Sequence, residues 1–431
     1  MTPRIAAAAA GGSEVNWARN YRYQGRIERP NSVDALRAIL SSSPKVGFLG
    51  SGHSFNAIAD SDVLVDMRSL PESIEIDVGR RTAVVSGGTT YGTLALELDR
   101  RGMALANFAS LPHITVAGAI ATGTHGSGAG NGGLGTSVAA LEIIAADGES
   151  AYVQRGQPDF AGCVVALGAL GAIVSVGIDI EPAYTVRQFV TQDVPWPSMA
   201  SELQAVMGSA YSVSLFTRWG ENVEQAWIKQ RVAGGNVTMH PALADGRPAK
   251  TDLHPVGDLE TANSTPQLGL EGPSFDRLPH FRIGFTPSKG DELQSEYLLD
   301  WSAATDAVAA MRTIGPRIRP ALLISEVRAV AGDELWMSPS FGRDSLAIHF
   351  TWRPDPELVE AALTLVEGAL LPLGARPHWG KVFLAESDYI RAQYPKLEDF
   401  SALAERFDPN RAFRNAWLER NVFGDHVASF E

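Results

Sequence analysis

The stretch Gly50-Ser51-Gly52-His53-Ser54-Phe55 places an imidazole inside a glycine turn, directly after the apolar run Val46-Gly47-Phe48-Leu49. Glycine lets a backbone turn tightly and approach a ligand closely, whereas an imidazole needs a partner of its own. Together they suggest a ligand-contacting loop, although a histidine in such a turn is also often an ordinary surface residue. A second glycine-rich segment, residues 105–135, is too apolar and too varied for a flexible linker. Successive backbone N–H groups in turns form anion-binding concavities, so two such loops could hold the pyrophosphate of a dinucleotide without a lysine. Within the second segment, Gly128 to Gly133 satisfies G-x-G-x-x-G, yet no buried strand precedes it and no amphipathic helix follows. A nicotinamide-type fingerprint needs both, so that reading is set aside.

Three later segments alternate with the period of a strand. Glu326 and Arg328 share one face of residues 322–328, and His349 and Thr351 share one face of residues 346–352. In Trp379-Gly380-Lys381-Val382-Phe383, Lys381 shares a face with two aromatics. If these strands pair in register, a Glu, an Arg, a His, a Thr and a Lys converge on one surface. Such convergent polar groups can form a functional site; alternatively, Glu326 and Arg328, two residues apart, form no more than a structural ion pair.

These groups need a scaffold to position them. At 431 residues the chain exceeds the usual size of one hydrophobic core, so two or three domains are expected. With 45% hydrophobic and 20% charged residues it reads as an ordinary globular protein. A net charge of −13 excludes a phosphate-backbone partner and favours a small neutral or cationic substrate. The single cysteine, Cys163, lies in an apolar run and reads as a buried hydrophobe with no disulfide partner. No apolar run is long enough for a membrane span. Residues 1–13 lack the large aliphatic side chains of a signal peptide and are expected to be a disordered tail, which makes the protein cytoplasmic. No metal site is expected.

Ser32 followed by apolar Val33, Leu36, Ile39 and Leu40 predicts a capped helix. Short strands are predicted at 46–49, 63–67, 74–78 and 82–85, the last two as a hairpin through Gly79, and a helix at 90–101 stopped by Gly102. Residues 234–273 read as long loops. The first 180 residues are therefore an α+β unit.

The ordered set "GSGHSFNAIADSDVLVDM", "NFASLPHITVAGAIATGTHGSG", "ALGALGAIVSVGIDIEPAY", "ELQSEY", "SEVRAV", "AIHFTW", "HWGKVF" and "FDPNRAFRN" closely resembles the alditol (xylitol, sorbitol) oxidases of the vanillyl-alcohol-oxidase family of FAD enzymes. The likeness runs from Asn16 to Gly424. It implies an α+β, two-domain fold of vanillyl-alcohol-oxidase type: an FAD-binding α+β domain over 14–185, a substrate (cap) domain over 186–400 with a large antiparallel sheet flanked by helices, and a C-terminal segment, 401–431, returning to the first. It also implies that FAD is attached covalently through His53 and lined by Phe48, Leu49, Gly50, Ser51, Gly52, Ser54, Ser110, Thr115, Gly118, Thr122, Gly123, Thr124, His125, Ile173 and Val174. Some relatives add a cysteinyl link in the second loop; this loop has no cysteine, so a single histidyl link is expected. The implied substrate face is Ser110, Gln294, Glu326, Arg328, His349, Thr351 and Lys381, with Lys381, Arg328, His349 and Glu326 catalytic. The implied reaction is oxidation of the terminal C1 hydroxyl of a polyol by hydride transfer to flavin N5, with O2 reduced to H2O2; the chain is expected to be a monomer. Oxidation of an aldonolactone, or a flavoprotein using another electron acceptor, remain the alternatives.

Overall fold

The computed structural model describes residues 14–232, 239–257, 259–285 and 292–424. The tail expected over residues 1–13 lies outside them, as do 425–431 and part of the 234–273 loop region. The chain opens with β1 (Arg26–Glu28), α1 (Val33–Ser42), β2 (Val46–Leu49) and β3 (Val63–Asp66), with β1 and β2 each pairing parallel to β3. Helix α1 starts where its cap requires, Ser32 accepting from the Ala35 N–H while Leu36 and Leu40 point inward. Strands β4 (Ile74–Asp77) and β5 (Thr82–Ser86) form the expected hairpin. With β6 (Val138–Ile144), β7 (Ser150–Gln154) and β8 (Ala172–Asp179) they build a five-stranded sheet ordered β4–β5–β8–β6–β7. Helix α2 (Tyr91–Arg100) is capped by Thr90, and Gly102 follows it with φ of 67°. The buried cysteine sits in this half, its thiol pushed up to about 12 by burial.

The larger sheet carries the polar face. Its long strands are β9 (Thr185–Pro195), β10 (Ser212–Thr217), β11 (Asn222–Arg231), β12 (Leu293–Asp300), β13 (Leu322–Val330) and β14 (Ser345–Trp352), antiparallel in the order β9–β11–β10–β13–β14–β12. Helices α4 (Ala304–Ile318) and α5 (Pro356–Leu370), beyond the short α3 (Val116–Ala121), cover one side. Their Val308, Met311, Val359 and Leu363 pack with Val327, Leu346, Ile348 and Phe350 in one buried cluster. Because side chains alternate along a strand, burying Ile348 and Phe350 against helices sends His349 and Thr351 to the opposite face. Register then aligns partners in rows: Phe216, Glu326, His349 and Glu296 lie side by side across β10, β13, β14 and β12, with Thr351 and Gln294 paired in the next row.

Residues 379–383 are not a strand. The segment pairs with β12 on both sides of a turn: the His378 N–H donates to Glu296 O at 2.9 Å, and the Val382 N–H to Gln294 O at 2.9 Å. Four residues advance here against two on β12, so two residues loop out. The turn is fixed by the Lys381 N–H donating to His378 O and the Gly380 N–H to the His378 ring, each at 3.1 Å. The Trp-x-Lys-x-Phe alternation imitates a strand, but the His378 ring holds the Gly380 N–H in a turn that points Lys381 at the sheet. Among the described residues, no helix is long and apolar enough to cross a membrane.

Candidate active site

A cavity of about 1160 Å³ lies between the polar face of the large sheet and the two glycine-rich loops. That exceeds the usual range for one small ligand and suits a dinucleotide together with a substrate. Phe48, Leu49, Gly50, Ser51, Gly52, His53 and Ser54 line it from the first loop, and Ser110, Thr115, Gly118, Thr122, Thr124 and His125 from the second, with Ile173 alongside. The loops meet closely: a Cβ on Gly50 would sit 2.1 Å from Thr115 Oγ1, and one on Gly118 2.8 Å from the same oxygen. Thr115 Oγ1 is itself buried without a protein partner, as is His53 Nε2. A cradle of glycines with two orphaned polar atoms fits a bound group that supplies their contacts.

Two expected lining residues lie elsewhere. Gly123 packs toward Pro339, whose Cδ is 2.8 Å from where a Cβ would be. Val174 is buried on the far face of β8 with Leu36, Val46 and Val65, since strand alternation gives the cavity only Ile173. The G-x-G-x-x-G stretch is loop: Gly128, with φ of 137°, donates its N–H to Ala329 O at 2.9 Å and so ties the second loop to β13.

His53 is half-buried and stacks on Trp17, ring centroids 4.2 Å apart, with His113 at 5.0 Å. Burial, reinforced by the neighbouring His113, pushes its pKa down to about 3, so the ring is neutral at ordinary pH. The loop is clamped from outside. Asn16 and Asn20 donate to Ser54 O and Phe55 O, each at 2.8 Å, and Asn56 donates to Trp379 O at 2.8 Å and Lys381 O at 2.9 Å. From the chain's end, Asn415 donates to Ala57, Ile58 and Asp60 carbonyls, and Phe413 packs on Phe48.

On the sheet, the structure brings Gln294, Glu326, Arg328, His349, Thr351 and Lys381 into the same cavity. It adds one residue that sequence reasoning passed over. Glu296 is 2% exposed and is the hub of the charges. It accepts from Lys381 Nζ at 2.5 Å and from Arg328 Nη2, with His125 Nε2 at 3.3 Å and His349 Nδ1 at 3.9 Å. The Glu326–Arg328 contact is looser, 3.7 Å, so Arg328 is chiefly Glu296's partner. Burial raises both carboxyls, but Arg328 and Lys381 outweigh it at Glu296, and Arg328 and His280 at Glu326; both stay well below the carboxylate range. Burial lowers Lys381, against the pull of Glu296. Burial and Lys381 together hold His349 well below the imidazole range. Glu296 and Glu326 are thus matched by Arg328 and Lys381 around the neutral His349 ring, an environment for an uncharged, hydroxyl-bearing substrate.

Lys381 Nζ lies 2.8 Å from His349 Nδ1. An ammonium can only donate, so His349 accepts at Nδ1, carries its proton on Nε2, and donates from there to Thr351 Oγ1 at 3.1 Å. Glu296 and His349 occupy two of the three Lys381 protons and leave the third for a ligand.

The chain matches the family model described as FAD binding domain over residues 26–152 and the model described as D-arabinono-1,4-lactone oxidase over 292–421. It is 43% identical to an alditol oxidase from a Streptomyces species, covering 94% of this chain and 97% of that one. It is 26% identical to an L-gulono-1,4-lactone dehydrogenase of Mycobacterium tuberculosis, covering 91% and 95%, and 26% identical to the L-gulonolactone oxidase of Bos taurus, covering 94% and 97%. Among solved structures, cholesterol oxidase from B. sterolicum superposes with a TM-score of 0.74 over 95% of this chain and 96% of that one, at 13% identity, which is a likeness of fold.

Proposed function

Since this chain belongs to the alditol oxidase family, we propose that it oxidises the terminal C1 hydroxyl of an acyclic polyol such as xylitol or sorbitol to the aldose. FAD, when bound, would supply the hydride acceptor and, with O2 as oxidant, the route to H2O2. The observation that carries this reading is the contact of Lys381 with His349 and Glu296 on a polar strand face opposite the His53 loop.

His53 is the residue we assign to covalent attachment at the flavin 8α-methyl: a neutral imidazole keeps a lone pair for the bond, and its Nε2 has no protein partner. Gly50, Gly52 and Gly118 bring backbone close enough to cradle the pyrophosphate. On the substrate side, the free Lys381 proton donates to the C1 oxygen, and Arg328 adds positive field. Lys381 passes one proton to His349 Nδ1, and the amine so formed turns its lone pair to the hydroxyl and takes that proton as hydride leaves C1, returning to an ammonium that donates to the carbonyl oxygen. The imidazolium so formed lies beside Glu296. One proton thus leaves the hydroxyl and one proton reaches His349. Glu326 accepts from a further hydroxyl, and Gln294, Thr351 and Ser110 supply neutral donors and acceptors. Such buried groups are left unpaired by any ligand lacking matching hydroxyls, which is how a polar site rejects analogues strongly.

Oxygen uptake with peroxide assay tests the reading. Xylitol and sorbitol are expected to support turnover and L-gulono-1,4-lactone to support little. Faster turnover of the lactone, or reduction of an artificial acceptor without peroxide, would replace it.

A further inference from the structure

Resting on the polyol-oxidase reading, we propose that Lys229 and His280 are positioning residues that fix Glu326 as a pure hydrogen-bond acceptor for a substrate hydroxyl. Lys229, on β11, is 1% exposed. Its Nζ donates to Leu278 O at 2.5 Å, to Pro279 O at 3.2 Å and to His280 Nδ1 at 3.1 Å. Burial pushes Lys229 down to about 7 against the pull of Glu326, and in its ammonium form all three of its protons go to these three acceptors. Ionised Glu326 can only accept, which puts the proton of the neutral His280 ring on Nε2, and the bare Nδ1 accepts from Lys229. That Nε2 lies 2.8 Å from Glu326 Oε1 and donates to it. One carboxylate oxygen is thereby engaged from behind, and Glu326 stays ionised with its other oxygen beside Arg328 and the cavity.

The ring cannot turn to undo this. His280 is held edge-on by Phe216 and Trp227, with centroids 5.4 and 5.2 Å away. Its own backbone N–H donates to Ser110 O at 3.2 Å, so the same residue joins the second flavin loop to the substrate carboxylate. Stability alone does not ask for this arrangement. A buried cation without a carboxylate in direct contact is costly, and apolar residues of similar volume commonly replace buried ionic groups at no loss. The chemistry Lys229 performs here is to hold Nδ1 bare, so that the ring stays neutral and oriented toward Glu326.

The test has two arms, both on the FAD-loaded full chain. In the first, histidine-labelled protein is examined by 15N NMR without substrate. His280 is expected as the neutral, Nε2-protonated tautomer in the wild type, and as a ring with a larger doubly protonated fraction in Lys229→Met, where no donor holds Nδ1 bare. An Nδ1-protonated or doubly protonated His280 in the wild type overturns the inference whatever the substrate is. In the second, KM and kcat are measured with xylitol. His280→Phe keeps a ring but removes both nitrogens. It and Lys229→Met should raise KM by about tenfold to a hundredfold, the worth of one hydrogen bond to a charged group, with kcat within about threefold of wild type. His280→Gln, which can donate and accept, should recover most of the loss. Unchanged KM in His280→Phe, or a fall confined to kcat, overturns the assignment. Should Lys229→Met fail to fold, Lys229→Gln replaces it under the same criteria. A wild type that oxidises no polyol, with the expected tautomer present, removes the polyol reading and leaves the positioning of Glu326 standing.

Discussion

Replacing Glu296 by Gln tests the charge balance of the site at its hub. The change is nearly isosteric, so it removes charge and leaves volume. Glu296 accepts from Lys381 and Arg328, both of which keep their charges in the variant. Breaking one partner of a buried ion pair typically costs about 3–5 kcal/mol, because the other charge is stranded. On a folding unit of 150–250 residues, that corresponds to a melting temperature lower by on the order of 10 °C. The kinetic effect is distinct from this. Glu296 raises the Lys381 pKa against burial and against Arg328. Without it the ammonium loses its proton at lower pH, and the alkaline limb of the activity profile moves toward acid. On that limb a smaller fraction of the enzyme keeps the proton donated to the C1 oxygen, and at every pH the counter-charge for the His349 imidazolium is gone. Loss of one such preorganised group is worth about 2.7–4 kcal/mol, or roughly 10²–10³ in rate. Anaerobic stopped-flow of flavin reduction by xylitol, across a pH series, reads both effects. Glu367→Gln is the control: that carboxylate is also buried, accepting from Tyr297 Oη at 2.7 Å, and should lower the melting temperature without moving the pH profile. If Glu296→Gln reduces flavin within about threefold of wild type at every pH, the counter-ion argument is refuted.

Lys381→Ala should slow flavin reduction at least about a hundredfold in the same apparatus; a near-normal rate would remove Lys381 from the chemistry. A denaturing gel viewed under ultraviolet light after acid treatment should show a fluorescent wild-type band that His53→Ala lacks, and a dark wild-type band would sink the covalent link. Gly50→Ala forces a Cβ to within 2.1 Å of Thr115 Oγ1, so purified protein should carry well under half the wild-type flavin per chain by absorbance; full occupancy would show that the cradle does not need this close approach.

What the sequence made legible divides by range of interaction. Period-two alternation placed His349 and Thr351 opposite Ile348 and Phe350, because the helix-covered side of β14 must be apolar. Ser32 and Thr90 marked helix starts by local chemistry alone. Glu296 escaped notice although it is two residues from Gln294 on the same strand face. Its weight comes from cross-strand register with His349 and Glu326, which no local spacing reports. Lys229 was hidden for the same reason. Two residues from Trp227, it resembles a solvated strand position until the carbonyls of Leu278 and Pro279, fifty positions on, close over it. The misread strand at 379–383 failed in the opposite direction: local alternation was present, and a side chain, His378, overrode it by holding the Gly380 N–H in a turn.

That turn joins two chemistries that could otherwise vary independently. Asn56 donates to the carbonyls of Trp379 and Lys381, and the Phe55 N–H donates to Gly380 O at 2.7 Å. The loop carrying His53 and the turn carrying Lys381 are therefore held by one set of short contacts. A side chain that must meet a substrate oxygen is positioned best when its backbone is fixed to the element that fixes the cofactor, since a displacement of about 1 Å can cost on the order of a hundredfold in rate. Lys381 on a regular strand would take its position from β12 alone. Looped out, it takes its position from β12 and from the His53 loop together, which is the physical reason for a turn where alternation called for a strand.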